Sequence, residues 1–160
     1  MINLKPIFDL NDNDPQTLIK HFYTLPSTAN TGARVTYVSE ALDHVAITIP
    51  LNEQTQNMMG IVYGGIMYSA TDAVYLTMLW YRLGLDYMLV DKCADVQYLR
   101  PGLGDLSVDF HLPEETVQSI IAELKEKKST LREFVINIKD NKQKTVCKIT
   151  KSIYIRKARK

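Results

Sequence analysis

The sequence predicts an α+β fold in which one antiparallel sheet of about six strands curls around one long central helix. The stretch from Gly64 to Gly84 is apolar on nearly every side, and a helix tolerates this only when other elements surround it. Runs that alternate apolar and polar residues lie on both sides of this stretch, as half-buried strands require. The 160 residues contain no repeat or linker, so we expect a single domain over residues 1–160.

One helix and one strand pair are predicted before the central helix. Asp14 and Pro15 provide a helix cap and a first-turn proline, and the helical spacing that follows predicts a short helix over 14–25. Residues 33–40 and 44–50 are predicted strands, with a turn at Leu42 and Asp43 between them. We expect the two strands to pair in the antiparallel sense.

The central helix is predicted over 65–83, within a 64–84 stretch that starts at Gly64-Gly65 and stops at Gly84. Residues 87–100 follow as a long strand, in which Val90, Ala94, Val96 and Tyr98 are expected to share one face.

Two more strands and a surface helix complete the prediction. Residues 106–112 alternate as a strand, and an amphipathic pattern predicts a surface helix over 113–127. Residues 131–139 and 145–155 are predicted to form a closing hairpin around Asp140-Asn141-Lys142.

Composition argues against several classes of partner. The net charge is +1, so no overall field attracts nucleic acid, and the basic residues at 156–160 are interpreted as a solvated end of the chain. The apolar stretch 61–85 is not expected to span a membrane, because a carboxylate such as Asp72 at mid-bilayer costs roughly 2.5 kcal/mol or more. The polar, acidic N-terminal sequence predicts a cytoplasmic location.

The metal-binding residue types give no recognisable spacing. Cys93 and Cys147 are far apart and lie in apolar runs, so we expect them to be small buried hydrophobic residues. The three histidines, His21, His44 and His111, are scattered over separate predicted elements. We therefore expect no metal site.

Asp72 is the anomaly of the central helix, because it is a carboxylate in the most apolar part of the chain. It must meet a partner, water or a proton. One interpretation is structural, with Asp72 paired to Lys92 on the following strand or to Ser69. The other is functional, with Asp72 facing a cleft as a nucleophile or general base.

Gly64 and Gly65 suggest a complementary group. They come directly before or at the first turn of the helix, where backbone N–H groups have no acceptor within the helix and no Cβ blocks a ligand. Such amides polarise a carbonyl in the manner of an oxyanion hole. A Gly-Gly pair alone is a weak signal, and its value lies in the combination with Asn57, Gly60, Tyr63 and Asp72.

This combination resembles the motif of the hotdog-fold thioesterases of the phenylacetyl-CoA type. Their motif runs Asn, a Gly three residues on, His-Gly-Gly, and an Asp seven residues beyond the second Gly. The matching positions here are Asn57, Gly60, Gly64, Gly65 and Asp72, with Tyr63 in place of the histidine. The run from Val96 to Asp105 is similar to the family's third strand.

Tyr63, the spacing Tyr68 to Asp72 and the pair Asp91-Lys92 are similar to a poorly characterised branch of this superfamily, known as a domain of unknown function. The resemblance implies a hotdog fold. It also implies that Asp72 is the nucleophile or general base, that Gly64 or Gly65 binds the thioester oxygen, and that Asn57 orients water or substrate.

Two functions follow as hypotheses. The first is hydrolysis of an acyl-CoA thioester at an interface in a homodimer or tetramer, with coenzyme A as part of the substrate, no separate cofactor, and Arg100 as a candidate phosphate ligand. Arg100 also fits an ordinary charged strand end. The second is a non-catalytic module that binds an acyl chain or small apolar ligand, which Tyr63 favours if its ring fills the carbonyl site.

Overall fold

The computed structural model describes residues 14–84 and 86–158. The acidic N-terminal sequence on which the expected cytoplasmic location rests lies mostly outside the described residues, as do Leu85 and the last two residues of the basic C-terminal cluster. The described helices are α1 Pro15–Phe22, α2 Pro26–Ala29, α3 Gly64–Thr71, α4 Val74–Leu83 and α5 Glu114–Glu126. The described strands are β1 Arg34–Val38, β2 His44–Ile49, β3 Tyr87–Tyr98, β4 Leu106–His111, β5 Ser129–Lys139 and β6 Thr145–Lys157.

The six strands form one antiparallel sheet in the order β1-β2-β4-β5-β6-β3. The sequence-distant strands β2 and β4 are neighbours, so the segment that contains the central helix crosses between them. The alternation seen in the sequence is preserved, because Val45, Ile47 and Ile49 of β2 are buried while the residues between them are partly exposed. Strands β1 and β3 form the two edges.

The predicted central helix is present as two segments, α3 and α4, separated at Asp72 and Ala73. Both segments are buried against the sheet through residues such as Met67, Val74 and Met78. The interruption has a physical cause, since the backbone carbonyl of Asp72 accepts a hydrogen bond from the Lys151 ammonium group of β6. A charged side chain inserted into the helical hydrogen-bond ladder breaks the helix at that point.

The face assignment in β3 needs a correction. The pairing of β3 with β6 shifts register between Asp91 and Cys93, which leaves Lys92 as the extra residue of a β-bulge. The bulge reverses the alternation beyond it. Asp91 therefore lies opposite Ile153, and Ala94 lies opposite Lys151. Both Ile153 and Lys151 are buried. Val90, which strict alternation placed on the same face as Ala94, lies opposite Tyr154 on the other face.

Helices α1 and α5 both contact the central-helix segment α4, and they also contact strands β1 and β5, respectively. In α1, Asp14 caps the first turn by accepting from the backbone N–H groups of Gln16 and Thr17. Helix α5 is amphipathic, with Val117, Ile120 and Leu124 buried. Among the described residues, none of the helices has both the length and the apolar character needed to cross a membrane.

The two cysteines differ in environment. Cys147 is buried, as expected, and burial raises the pKa of its thiol to about 11. Cys93 is exposed at the β3 bulge, so the expectation of a buried hydrophobic role was wrong for this residue.

Candidate functional site

A tight loop before the central helix is held together by Asn57. Its side-chain Oδ1 accepts from the backbone N–H of Met59 at 2.9 Å and from that of Ile61 at 3.4 Å. Gly60 has a φ of +73°, which favours glycine. The oxygen of Asn57 is therefore engaged within its own loop, and its amide NH₂ is the part of the side chain left to meet a ligand.

Gly64 and Gly65 form the first turn of α3, where the N–H groups have no acceptor within the helix. Two tyrosine rings pack against them. A Cβ atom added at Gly64 would lie 2.7 Å from the ring of Tyr98, and one added at Gly65 would lie 2.6 Å from the ring of Tyr63. Glycine is needed at both positions to allow these contacts, whatever the ligand.

A pocket of about 410 Å³ opens at this helix terminus. It collects most of the predicted binding residues in one place, although they come from the loop, the helix and the segment after β3. Its lining includes Asn57, Tyr63, Gly64, Gly65, Tyr98 and Arg100. Gly60 is not part of the lining, and its role lies in the turn of the loop.

Arg100 lies at the pocket with one part of its guanidinium group already bound. Its Nη1 donates to the backbone carbonyl of Thr145 at 2.6 Å, and the residue as a whole is exposed. A guanidinium group carries five N–H donors, so this bond leaves donors for an anionic ligand. The structure is compatible with both interpretations of Arg100, the phosphate ligand and the charged strand end.

Asp72 lies at the other end of α3 and outside this pocket. Its Oδ1 is 2.7 Å from Nζ of Lys151, and the same Nζ is 2.7 Å from Oδ2 of Asp91. The Lys151 side chain is 1% exposed, while that of Asp72 is 43% exposed. One buried ammonium group thus joins two carboxylates, of which Asp72 faces outward.

The surroundings of this cluster shift the pKa values of Asp91 and of the neighbouring Tyr68. Burial raises the pKa of Asp91; Lys151 lowers it and Asp72 raises it. Burial, followed by the charge and hydrogen bond of Asp72, raises the pKa of Tyr68 to about 12. The Tyr68 ring also lies 5.7 Å from Nζ of Lys151, within the range of a cation–π contact.

The structural partner proposed for Asp72 from the sequence, Lys92, is therefore replaced by Lys151. Lys92 is exposed because the β3 bulge turns it away from the helix. A signal for Lys151 was available in β6, where it interrupts an alternating series of otherwise apolar inward residues: Cys147, Ile149, Ile153 and Ile155. A lysine at a core position requires an acidic partner.

The two halves of the predicted site are far apart within one chain. Gly65 and Asp72 are separated by seven residues of helix, which at 1.5 Å per residue is about 10 Å along the axis. A carboxylate must approach to about 3–3.5 Å of a carbonyl carbon, directly or through one water, to take part in its hydrolysis. The amides and Asp72 of one chain do not meet this requirement together.

Comparison with known proteins identifies relatives of unassigned function. Residues 17–155 match the family described as a domain of unknown function (DUF4442). Among curated proteins, none matches the sequence.

Solved structures resemble the whole chain at low sequence identity. A protein of unknown function from Pseudomonas aeruginosa, PA5026, described as a probable thioesterase, has a TM-score of 0.79 at 17% identity and covers 90% of this chain and 97% of its own. A protein of unknown function from Chlorobaculum tepidum has a TM-score of 0.74 at 18% identity, covering 92% and 99%. The thioesterase HI1161 of Haemophilus influenzae has a TM-score of 0.66 at 14% identity, covering 89% and 90%. These likenesses confirm the predicted hotdog fold.

Proposed function

Because the chain belongs to the family described as a domain of unknown function (DUF4442) and has the hotdog fold, we propose that it hydrolyses acyl-CoA thioesters at a site between two subunits. The observation that carries the proposal is the pocket at the start of α3. There the first-turn amides of Gly64 and Gly65 adjoin a cavity that also contains Arg100. A probable thioesterase and a thioesterase among the structures with similar folds support the reaction class.

In the proposed reaction, a Gly64 or Gly65 N–H donates to the thioester oxygen and makes the carbonyl carbon more electrophilic. Asp72 takes a proton from water while the water oxygen bonds to this carbon. The resulting oxyanion collapses and the C–S bond breaks. The thiolate leaves with the electron pair and receives the proton, giving a carboxylic acid and coenzyme A as products without a separate cofactor.

Asp72 suits this role in two respects. Its partly exposed carboxylate remains accessible to water, and the 2.7 Å contact with the buried ammonium group of Lys151 fixes its position. We assign Lys151 the task of positioning Asp72, with no contact to the substrate.

The separation of about 10 Å along α3 supports a shared site, in which Asp72 of one subunit acts on a thioester held by the glycines of another. A homo-oligomer, dimer or tetramer, also fits the exposed edge strands β1 and β3. Large apolar side chains around the pocket are exposed as well: Met58, Met59, Tyr63, Tyr98, Leu99 and Leu103. The location in the cytoplasm and the lack of a nucleic-acid or membrane partner stay predictions from the sequence.

The test is turnover of acyl-CoA thioesters of varied chain length by the wild type and Asp72→Asn. The substitution keeps the shape of the side chain and removes the base, so we expect kcat to fall by about 10²-fold or more. Asp95→Asn is the matched control, since Asp95 is exposed on β3 and is expected to leave turnover unchanged. Equal turnover by the wild type and Asp72→Asn would remove Asp72 from the mechanism.

A second candidate function is non-catalytic binding of an acyl chain or small apolar ligand. The contact of the Tyr63 ring with Gly65 favours it, because this ring occupies space beside the amide that would hold the carbonyl. Lack of turnover on every thioester, together with saturable binding of a fatty acid or acyl-CoA that Tyr63→Ala alters, would establish this function in place of hydrolysis.

A further inference from the structure

Two histidines and a carboxylate meet on the outer face of the sheet, away from the helix. In the antiparallel register of β2 and β4, His44 lies opposite His111 and Ala46 lies opposite Asp109. The alternating residues Val45 and Phe110 are buried, so the side chains of His44, Asp109 and His111 point outward. The fold thus gathers residue types that are separated by up to 67 positions in the sequence.

The three side chains are close enough to share one ligand. One donor atom from each lies within 4.8 Å of those of the other two. Nε2 of His44 is 2.8 Å from Oδ1 of Asp109, and the rings of His44 and His111 stack with centroids 4.1 Å apart. A hydrogen bond between His44 and Asp109 accounts for their contact, but it does not require the second imidazole.

We propose that His44, Asp109 and His111 form a binding site for one divalent transition-metal ion of the Zn²⁺ class. Two imidazoles and one carboxylate match the ligand preferences of such ions and not those of Mg²⁺ or Ca²⁺, which take oxygen ligands. Three protein ligands leave a coordination position for water. This inference is independent of the proposed thioesterase function and concerns a separate face of the molecule.

Modest rotation of the side chains completes the geometry. Ligand atoms bound at about 2.0–2.2 Å to one tetrahedral ion are roughly 3–3.5 Å apart. The 2.8 Å contact between Nε2 of His44 and Oδ1 of Asp109 therefore has to lengthen slightly, and any donor pair beyond this range has to approach. Each ring plane must also contain the ion, which requires the stacked imidazoles to turn apart. His44 is partly exposed, with the Tyr37 ring on its other side at 4.9 Å, and His111 is exposed, so both rings have room for this movement while the paired strands hold both backbones in place.

The charges around the cluster have both signs. Asp43 interacts electrostatically with His44 and favours a cation, whereas Lys139 lines the adjoining depression with Asp109 and His111 and opposes one. Lys139→Gln is therefore expected to tighten binding, and its effect distinguishes a site at this position from metal bound elsewhere on the chain.

The experiment is calorimetric titration of the full chain with ZnCl₂, carried out in a Cys93→Ser background so that the exposed thiol is not a ligand. We expect one ion per chain, and a weakening of about 10-fold or more for His44→Ala and for His111→Ala. His21→Ala is the matched control, since His21 belongs to α1 and not to the cluster. Circular dichroism of each variant shows whether the fold is kept.

A second measurement uses the melting temperature, because an ion that binds the folded state raises it. We expect ZnCl₂ to raise the melting temperature of the Cys93→Ser protein and to leave that of the variant lacking both His44 and His111 unchanged. A wild-type stoichiometry that survives removal of both imidazoles overturns the proposal. Lack of any saturable binding overturns it equally.

Discussion

The two ends of α3 differ in what they require from the sequence. At its start, Gly64 and Gly65 offer bare backbone amides to an open pocket, and their value depends on side-chain atoms being absent. At its end, Asp72 offers a carboxylate, which the buried ammonium group of Lys151 holds in place. Under the proposed function, the start of this eight-residue helix binds the carbonyl through bare backbone amides, and its end accepts a proton through a side chain held in place.

Because the two groups lie at opposite ends of α3, one chain is an incomplete site under the proposed function. A rigid helix fixes the distance between its two ends, so no side-chain rotation brings the amides and Asp72 to the same carbonyl. Only a second copy of the chain completes the site, by placing its own Asp72 near the glycines of the first.

The largest expected effect is rescue of activity by mixing two inactive variants. Asp72→Asn removes the carboxylate, and Gly65→Val places side-chain atoms against the Tyr63 ring and the amide. In a mixed dimer, one of the two sites combines an intact Gly65 with an intact Asp72. After unfolding and refolding an equimolar mixture, turnover should return to roughly a quarter of the wild-type value, since about half of the dimers are mixed.

The control is a mixture of Asp72→Asn with the double variant that carries both changes in one chain, in which no site is intact. If the first mixture stays as inactive as this control, although it forms mixed dimers, the two groups do not act across an interface.

A smaller effect is expected on stability at the charged end. Lys151→Met removes the ammonium group and leaves Asp72 and Asp91 with like charges close together. Loss of one partner from a buried ion pair costs about 3–5 kcal/mol, and the lower limit applies because both carboxylates keep some exposure. Urea unfolding should show a loss of about 3 kcal/mol.

Lys148→Met on the outward face of the same strand is the matched control and should stay near the wild-type stability. The variant Lys151→Met/Asp91→Asn should recover part of the loss, because one of the two opposing charges is gone. A Lys151→Met protein as stable as the control would show that the cluster does not support the fold.

The smallest effect concerns pH and Asp91. Burial raises the pKa of Asp91 in the folded state above its ordinary value of 3.8, so the folded state binds this proton more tightly than the unfolded state. The resulting stability is present below pH 3.8 and is lost as pH rises through the folded pKa. Relative to Asp91→Asn, the wild type should therefore gain stability as pH falls from 7 towards 4.

Urea unfolding of both proteins at several pH values measures this difference and cancels the titration of groups that they share. A wild-type advantage that grows as pH rises over the same interval would contradict the raised pKa of Asp91.

The sequence predicted the fold because its signals were local. The apolar stretch before Gly84 and the alternating strands each depend on neighbouring residues, and both are found. The same holds for the pocket, since Asn57, Tyr63 and the two glycines are close in the sequence. The features that the sequence did not predict depend on contacts between distant parts of the chain. The alternating pattern of the sequence does not reveal the β3 bulge at Lys92. Because of this bulge, Asp91 and not Lys92 lies on the inward face of the strand.

The histidines show the same limit. Their separation suggested no shared site, and only the β2–β4 register places His44 across from His111. Lys151 differs, because a lysine within a series of apolar inward residues predicts a buried charge. The series does not identify its acidic partners. Register between distant strands depends on the packing of the whole sheet, which a single sequence does not display.

Because Lys151 lies in the last strand, it is made after both of the carboxylates that it contacts. Asp72 leaves the ribosome 79 residues before the lysine that neutralises it, and Asp91 also precedes that lysine. Until β6 has emerged, Asp72 and Asp91 lack the ammonium group that lies between them, so packing the helix against β3 brings two like charges together. We therefore expect closure of the core to wait for the final hairpin, which supplies the neutralising charge.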